Sequence, residues 1–457
     1  MKVKHILHLY SRIGFGITPK EINEIKHLSK KEIIKQLFLE SKKSTPLSID
    51  ISFANNIIGK DLKDNKTKRK EFIKKSKKKV KELNSIWLKR VFNPSELLRE
   101  KMTLFWANHF VCENKRIIYV QNYNNTLREH ALGNFGDFTK AISKEAAMLN
   151  FLNNKQNKKN KPNENFAREL MELFMLGEGN YTEQDIKESA RAFTGYSHAF
   201  KGGFKLLKKH QDAGEKTFFD KKGKFNGDDI IDIILEKKQC ARFICEKIYT
   251  YFVNNIINEA NIDRMVAVFF TNYDIEKLMK YILLSEWFYD EENIGTKIKS
   301  PIELLAGINK VVPFQIEQPK QQILIQNLLG QVLLYPPNVA GWKQGKGWVD
   351  SNTIVTRLKL PSVLLSNAKI NYSEKGNFKD IVEDFNKKLQ KKSFIKTTRQ
   401  WDVFERNYKN ITSLILTNYL LLSPISKGTK KIIEENKSLP IKDFCIQLLS
   451  LPEYQLC

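Results

Sequence analysis

Apolar residues recur along this chain with the spacing of helices. Three- and four-residue steps between them run through 28–40, 120–132, 138–153, 228–236, 239–253, 261–270, 275–288, 300–311, 320–333, 377–389, 410–422 and 441–450. Each segment therefore carries one apolar stripe, which predicts an amphipathic helix. The start and stop signals agree. Thr18-Pro19-Lys20-Glu21 reads as a cap, a proline at the first helical position and a glutamate that answers the cap, with Ile17 and Ile22 placed to staple. Thr182 and Asp185 repeat the device, Tyr181 can staple to Ile186, and Gly195 should end that helix. Asn93-Pro94-Ser95-Glu96 predicts a further start. Alternating strand patterns are scarce: "GGFKLLKK" and "KTFFDKKGKF" predict at most a short β-hairpin near 203–225. The expected fold is mainly α, a multi-helical globular domain. The proline- and glycine-dense "YPPNVAGWKQGKGW", 335–348, predicts an ordered loop.

The organisation read from these shifts has four parts. Residues 1–50 supply the first helices of the core, and 51–82 form a lysine-rich insertion or exposed helix. Residues 83–365 are the helical core, and 366–457 a helical C-terminal portion. No repeat of 20–50 residues occurs, and no apolar run reaches the roughly 18–20 residues of a membrane span.

Composition changes the picture in one respect. The formal net charge is +26 over 457 residues, which invites a nucleic-acid partner. The excess is uneven: residues 63–81 hold eleven Lys/Arg against Asp64 and Glu71, so this run alone supplies nine of the net charges. A like-charge run is ordinarily a solvated face or arm, and nucleic-acid binding through 63–81 is the third-ranked reading. The five cysteines form no CxxC pair, so a disulfide framework is not expected. The N-terminus lacks an apolar signal core before Arg12. That makes the cytoplasm the default location, with export expected only if the chain is a mature form.

Candidate chemistry lies where polar residues fall on apolar arcs. On the helix expected after Asn93, Leu97, Leu98, Phe105 and Cys112 share an arc that also takes in Lys101, Asn108 and His109. A polar group on a buried face must be hydrogen-bonded or functional. The stretch "NENFAREL" opens another helix. Asn163 can cap it, Phe166, Leu170, Leu173 and Phe174 cover one side, and Glu164, Arg168 and Glu172 stand in a stripe on the other with Asn165 and Glu169 beside them. Such a stripe is either a solvated ion-paired face or two carboxylates held by an arginine for acid–base work or metal ligation. "GYSHA" lacks the strand–turn–helix setting of a nucleophile elbow, "GWKQGKG" lacks the spacing of a phosphate loop, and His5 with His8 makes half a metal site.

Taken in order, "HLYSRIGFGITPKEI", "KMTLFWANHF", "LREHALGNF", "PNENFARELMELFMLGEGNYTEQDIKESARAFTGY", "DAGEKTFF", "FNGDDIIDIIL", "KSPIELLAG" and "PPNVAGW" resemble the bacterial domain-of-unknown-function family 1800, from about residue 5 to about residue 360. The resemblance implies no reaction, because that family has no established activity. It marks Asn108, His109, His130, Asn163, Glu164, Asn165, Arg168, Glu169, Glu172 and Arg191 as signature positions. It also exposes departures: Ala107 where a histidine is frequent, Asn153 where an aspartate is, and Gln211-Asp212 with His210 where a His-Asp pair is usual. Relatives often look exported and are often encoded beside a sulfatase-like family, which suggests a protein partner.

The resulting expectation is a hydrolase-type enzyme. His109 and His130 would be base or ligands, Glu164 and Glu172 the carboxylates, and Asn108, Asn163, Arg168, Glu169, Arg191 and Asp212 the binding shell. The metal ligands stay unassigned and the cofactor open, with a divalent metal among the options. The alternative is a non-enzymatic interaction or assembly protein, its polar motifs a structural lock and its Trp342 and Trp348 a docking surface.

Overall fold

Five capping boxes among the described residues set helix starts. Thr18, Ser29, Thr182, Asn226 and Ser300 each accept the amide three residues on, and Glu21, Glu32, Asp185, Asp229 and Glu303 answer them. These are features of a computed structural model that describes residues 1–54, 57, 59–366 and 395–457; the helix expected at 377–389 lies outside the described residues. The chain is mainly α. Its extended structure, among the described residues, is three two-stranded antiparallel sheets and a few isolated bridges.

Three local expectations shift. Asn93 does not open a helix; it closes the long Lys66–Phe92 helix, and the next begins at Leu97. Glu96 cannot cap that start, because its carboxylate already accepts from Thr45 and Ser95. The segment 138–153 breaks at Glu145, whose extended backbone separates Phe135–Lys144 from Ala146–Phe151. The two segments near 203–225 do not pair with each other. Phe204–Leu206 pairs back to Tyr196–His198, and Lys216–Phe218 pairs with Lys221–Gly223. Phe219 and Asp220 both take positive φ, the turn that closes a two-residue hairpin, and such local closure wins over the longer loop. The third sheet, Phe314–Ile316 with Thr397–Arg399, had no signal in the alternation.

The lysine-rich run is the first part of the 27-residue helix Lys66–Phe92. Phe72, Ser76, Val80, Leu83, Trp87 and Val91 are buried at three- and four-residue steps, so the helix lies on Ile117–His130, Pro301–Val311 and Pro319–Leu329. Asn84 and Gln326 exchange amide hydrogen bonds of 3.1 and 2.8 Å across that contact. One continuous apolar cluster runs from Ile6 to Tyr454.

The Leu97–His109 helix threads the middle of this core and brings charge with it. Arg99 donates to the carbonyls of Ser41, Arg128 and Glu129. Glu100 accepts from Trp87 Nε1 at 2.6 Å and pairs bidentately with Arg128. Lys101 donates to Gly14 O and pairs with Glu303. Buried polar groups endure only when partnered, and these partners tie five separate stretches of chain to one helix.

Candidate functional site

His109 is the last residue of that helix and is almost wholly buried. Its Nε2 lies 2.9 Å from Phe174 O. A carbonyl can only accept, so Nε2 carries the proton and Nδ1 is left as the acceptor. Rings of Phe105, Trp106, Phe110, Phe135, Phe174 and Phe243 surround the imidazole. Burial in this aromatic box, then the nearby Lys247 charge, push its pKa down to about 3 against the Phe174 hydrogen bond. The ring is neutral at every physiological pH.

A depressed histidine pKa makes a stability prediction with a fixed sign. The unfolded chain binds the proton near pH 6.5 and the folded chain only near 3, so stability is complete above 6.5 and falls as the pH drops toward 3. His109 alone should account for about 2 kcal/mol between pH 6.5 and 5. Urea unfolding of wild type and His109→Asn at both pH values measures it; equal losses in the two proteins would show that His109 is not the group responsible.

One side of His109 opens on a pocket of about 150 Å³, lined with Phe105, Asn108, Leu173, Lys247, Tyr251 and Gln344 among others. Burial lowers the Lys247 ammonium pKa, with Glu246 opposing. The Tyr251 hydroxyl is buried without a hydrogen-bond partner among the described residues, and burial pushes its pKa well above the usual phenol value. The far wall is the 335–348 loop. Asn108 clips it: its Oδ1 accepts from Trp342 N at 2.6 Å and its Nδ2 donates to Trp342 O at 3.3 Å. Trp342 and Trp348 are 4% and 5% exposed, so they are core residues and not the docking surface their sequence setting suggested.

The other expected site residues lie elsewhere. His130 stacks on Phe138 at 5.5 Å on the far side of the aromatic layer that holds Trp106 and Phe110, and burial lowers its pKa. Asn163 does not head a helix that begins at Glu164; the helix starts at Asn165, whose amide donates to Asn163 Oδ1. Asn157 organises this corner, accepting from Asn163 N and donating to Ala190 O, while Asn165 donates to Leu152 O.

Arg168 leaves the expected stripe. It forms two bonds of 2.8 and 2.9 Å to Glu183 on the next helix, with Glu164 at 3.5 Å. That bonding, first of all causes, raises its pKa. Glu172 accepts from Tyr181 Oη at 2.9 Å. Burial, and then the Glu172 charge, raise the Glu169 carboxyl pKa. From Leu170 to Met175 the helix widens to π geometry, which moves Glu172 out of the register that a continuous α-helix would share with Arg168. Arg191 grips Asp212 at 2.8 Å and Glu188 at 2.8 Å and also donates to Glu215 O. It thereby holds the "DAGEK" turn. The expected constellation is therefore several separate places. His109 and Asn108 share a pocket, and none of the other expected residues line it. Among the described residues no group of three or more His, Cys, Asp and Glu is placed to hold a metal ion, and no helix is long and apolar enough to cross a membrane.

The family model described as "Protein of unknown function (DUF1800)" matches residues 8–456. The chain belongs to the DUF1800 family. Comparison with curated proteins and with solved structures finds no match.

The positions at which this DUF1800 chain departs from the motif pattern have local settings. Ala107 is buried and lines a small hollow with Trp87, Cys112 and Asn124, away from the His109 pocket. Asn153 has φ +59°, a left-handed conformation that Asn and Asp tolerate well. His210 ends a short 3-10 turn and is half-buried. Sequence reasoning missed Lys247 and Tyr251. Their signal was present: Phe243, Lys247 and Tyr251 follow one another at four-residue steps on Lys238–Phe252, so a lysine sits in an aromatic stripe.

Proposed function

We propose that this DUF1800 chain is a hydrolase-type enzyme that binds and turns over a small polar molecule in the His109 pocket. The observation that carries the reading is the convergence of two complementary groups on one partly apolar hollow that Tyr251 also lines: the imidazole of His109 and the side chain of Lys247. Their roles follow from proton affinity. With a pKa of about 3, His109 is too weak a base to take a proton near neutrality, so it acts as a fixed acceptor that orients a substrate N–H or O–H. Lys247, lowered by burial, is the cation that meets developing negative charge, and Tyr251 is part of the wall. Glu172 and His130 take no part in this version of the site.

The test is turnover of a panel of chromogenic carboxylic, phosphate and amide esters by wild type and Lys247→Met. Lys247→Met should lower turnover of an accepted member by about 100-fold or more, with the thermal midpoint within a few degrees of wild type. A variant that matches wild type on every member would remove the pocket from the reaction.

A second reading is supported by a specific observation. Asn108, Arg168, Arg191 and Asp212 are bonded to the chain's own groups, as in an interaction or assembly protein whose motifs lock the fold. Under that reading Arg191→Gln lowers stability with no other defect, and Lys247→Met is silent.

A further inference from the structure

Arg116 is held in place with no acid to meet it. Its Nη1 donates to Tyr119 Oη at 2.8 Å, and its guanidinium lies 5.3 and 5.8 Å from the centres of the Tyr119 and Phe200 rings. Tyr119 Oη in turn donates to Phe200 O, and the Phe200 ring packs on Phe72, so the arginine is braced from the core. Among the described residues Arg116 has no carboxylate partner. Its other N–H groups are open to solvent, unlike the sealed donors of Arg12. A braced guanidinium with free donors suits an oxyanion, which accepts several parallel hydrogen bonds.

The space beside Arg116 is ample. A hollow of about 530 Å³ is lined by Arg69, Arg116, Lys155 and Lys205 with Tyr119 and Phe200, and among the described residues no carboxylate lines it. A second hollow of about 590 Å³ shares Arg69, Arg116 and Lys155 with the first and adds Lys115, with Glu113 as the acid on its wall. Each falls within the roughly 300–1,000 Å³ of small-molecule sites. Lys155 has an interaction of its own, so the open cations are Arg116 and the exposed Arg69, Lys115 and Lys205. His198, on the same wall, registers the field. Burial lowers its pKa first, and the Lys155 and Arg116 charges lower it further, against the Ala199 hydrogen bond. Arg69 belongs to the opening turn of Lys66–Phe92, which holds no acidic residue. The positive end of that helix and its basic side chains therefore repel one another, and a bound anion would relieve both.

We propose that this groove binds a phosphate or sulfate ester of a small organic molecule, its oxyanion on Arg116 and its organic part along Phe200. The hollow is far larger than a free phosphate ion and has an apolar wall, which is why an ester fits it better. The groove shares no lining residue with the His109 pocket, so the inference stands apart from turnover there.

The test is calorimetric titration of the full chain, at constant ionic strength in chloride, with phenyl phosphate, phenyl sulfate, adenosine monophosphate and inorganic phosphate. Saturable binding of at least one ester is expected, at least tenfold tighter than inorganic phosphate and weakened at least tenfold by Arg116→Gln. A preference for phosphate or for sulfate supports the site in either case and tells the two esters apart. Should Arg116→Gln fold poorly, Arg69→Gln combined with Lys205→Gln, at two exposed positions, carries the test and should weaken binding at least fivefold. No saturable binding of any ester would overturn the proposal, as would inorganic phosphate binding as tightly as the esters. Ester binding that the folded variants leave unchanged would also overturn it, and would assign the uptake to surface lysines such as those of Lys66–Phe92.

Discussion

Glu303→Gln is expected to cost about 3–5 kcal/mol of folding stability, the largest effect expected of any single polar substitution in this chain. Glu303 is a buried carboxylate near Lys101, Lys297 and Lys299: it pairs with Lys101 and also answers the Ser300 amide at the start of its own helix. Burial would raise its pKa, but Lys101 and then Lys297 overcome that and hold it at about 2. Its folded value thus lies below its unfolded one. The stability it contributes is present above about pH 4.5 and is lost as the pH falls toward 2. The informative comparison is with Lys101→Met. Removing that lysine leaves Glu303 still facing Lys297, whereas removing the carboxylate leaves every cation without it. Glu303→Gln should therefore be clearly worse than Lys101→Met in urea unfolding at pH 7. Equal losses would mean that the pair is an ordinary isolated salt bridge and that the surrounding cations exert no field on it.

Gly341→Ala should cost about 2–4 kcal/mol, for two additive reasons. Gly341 has φ +85°, where an alanine is strained. A Cβ there would also overlap Asn108 Oδ1 and lie 2.9 Å from Val111 Cγ2, so the two-bond clip between Asn108 and Trp342 could not form. Gly330→Ala separates the two reasons, because Gly330 has φ +91° and open space where a methyl group would stand, with nothing within 4 Å. Only the conformational part, about 1 kcal/mol, should appear there. The clip also holds the 335–348 wall of the His109 pocket, so Gly341→Ala should loosen the loop that carries Val339, Ala340 and Gln344. Faster amide exchange over 335–348 would register this. If the two glycines cost the same, Asn108 is not the element that positions the loop.

Much of the helical framework was legible because its causes are local. Thr18 with Glu21 and Thr182 with Asp185 are capping pairs three residues apart, and both form as written. The stripe Phe72, Val80, Leu83, Trp87, Val91 starts inside the lysine run and continues past its end at residue 81. Where a distant group competed, the local signal failed. Glu96 was already bonded to Thr45 across the fold, so the helix after Asn93 started late.

The candidate site divided along the same line. From the apolar arc alone, His109 and Asn108 were picked out as buried polar residues that needed an explanation, and both sit on one pocket. The rest of the expected shell did not join them. Arg168 chose Glu183 and Arg191 chose Asp212 and Glu188, because an arginine takes the carboxylates that packing brings within reach, and spacing along one helix says nothing about the next. The sequence by itself determined a mainly helical chain, its capping pairs, its buried stripes and its membership of the DUF1800 family. Only the tertiary structure decided which polar groups share a space: His109 with Lys247 and Tyr251, and Lys101 with Glu303 across 202 positions of chain. Helix periodicity reports interactions three and four residues apart, whereas a site is an arrangement of side chains from separate helices whose relative placement is set by the packing of the whole core.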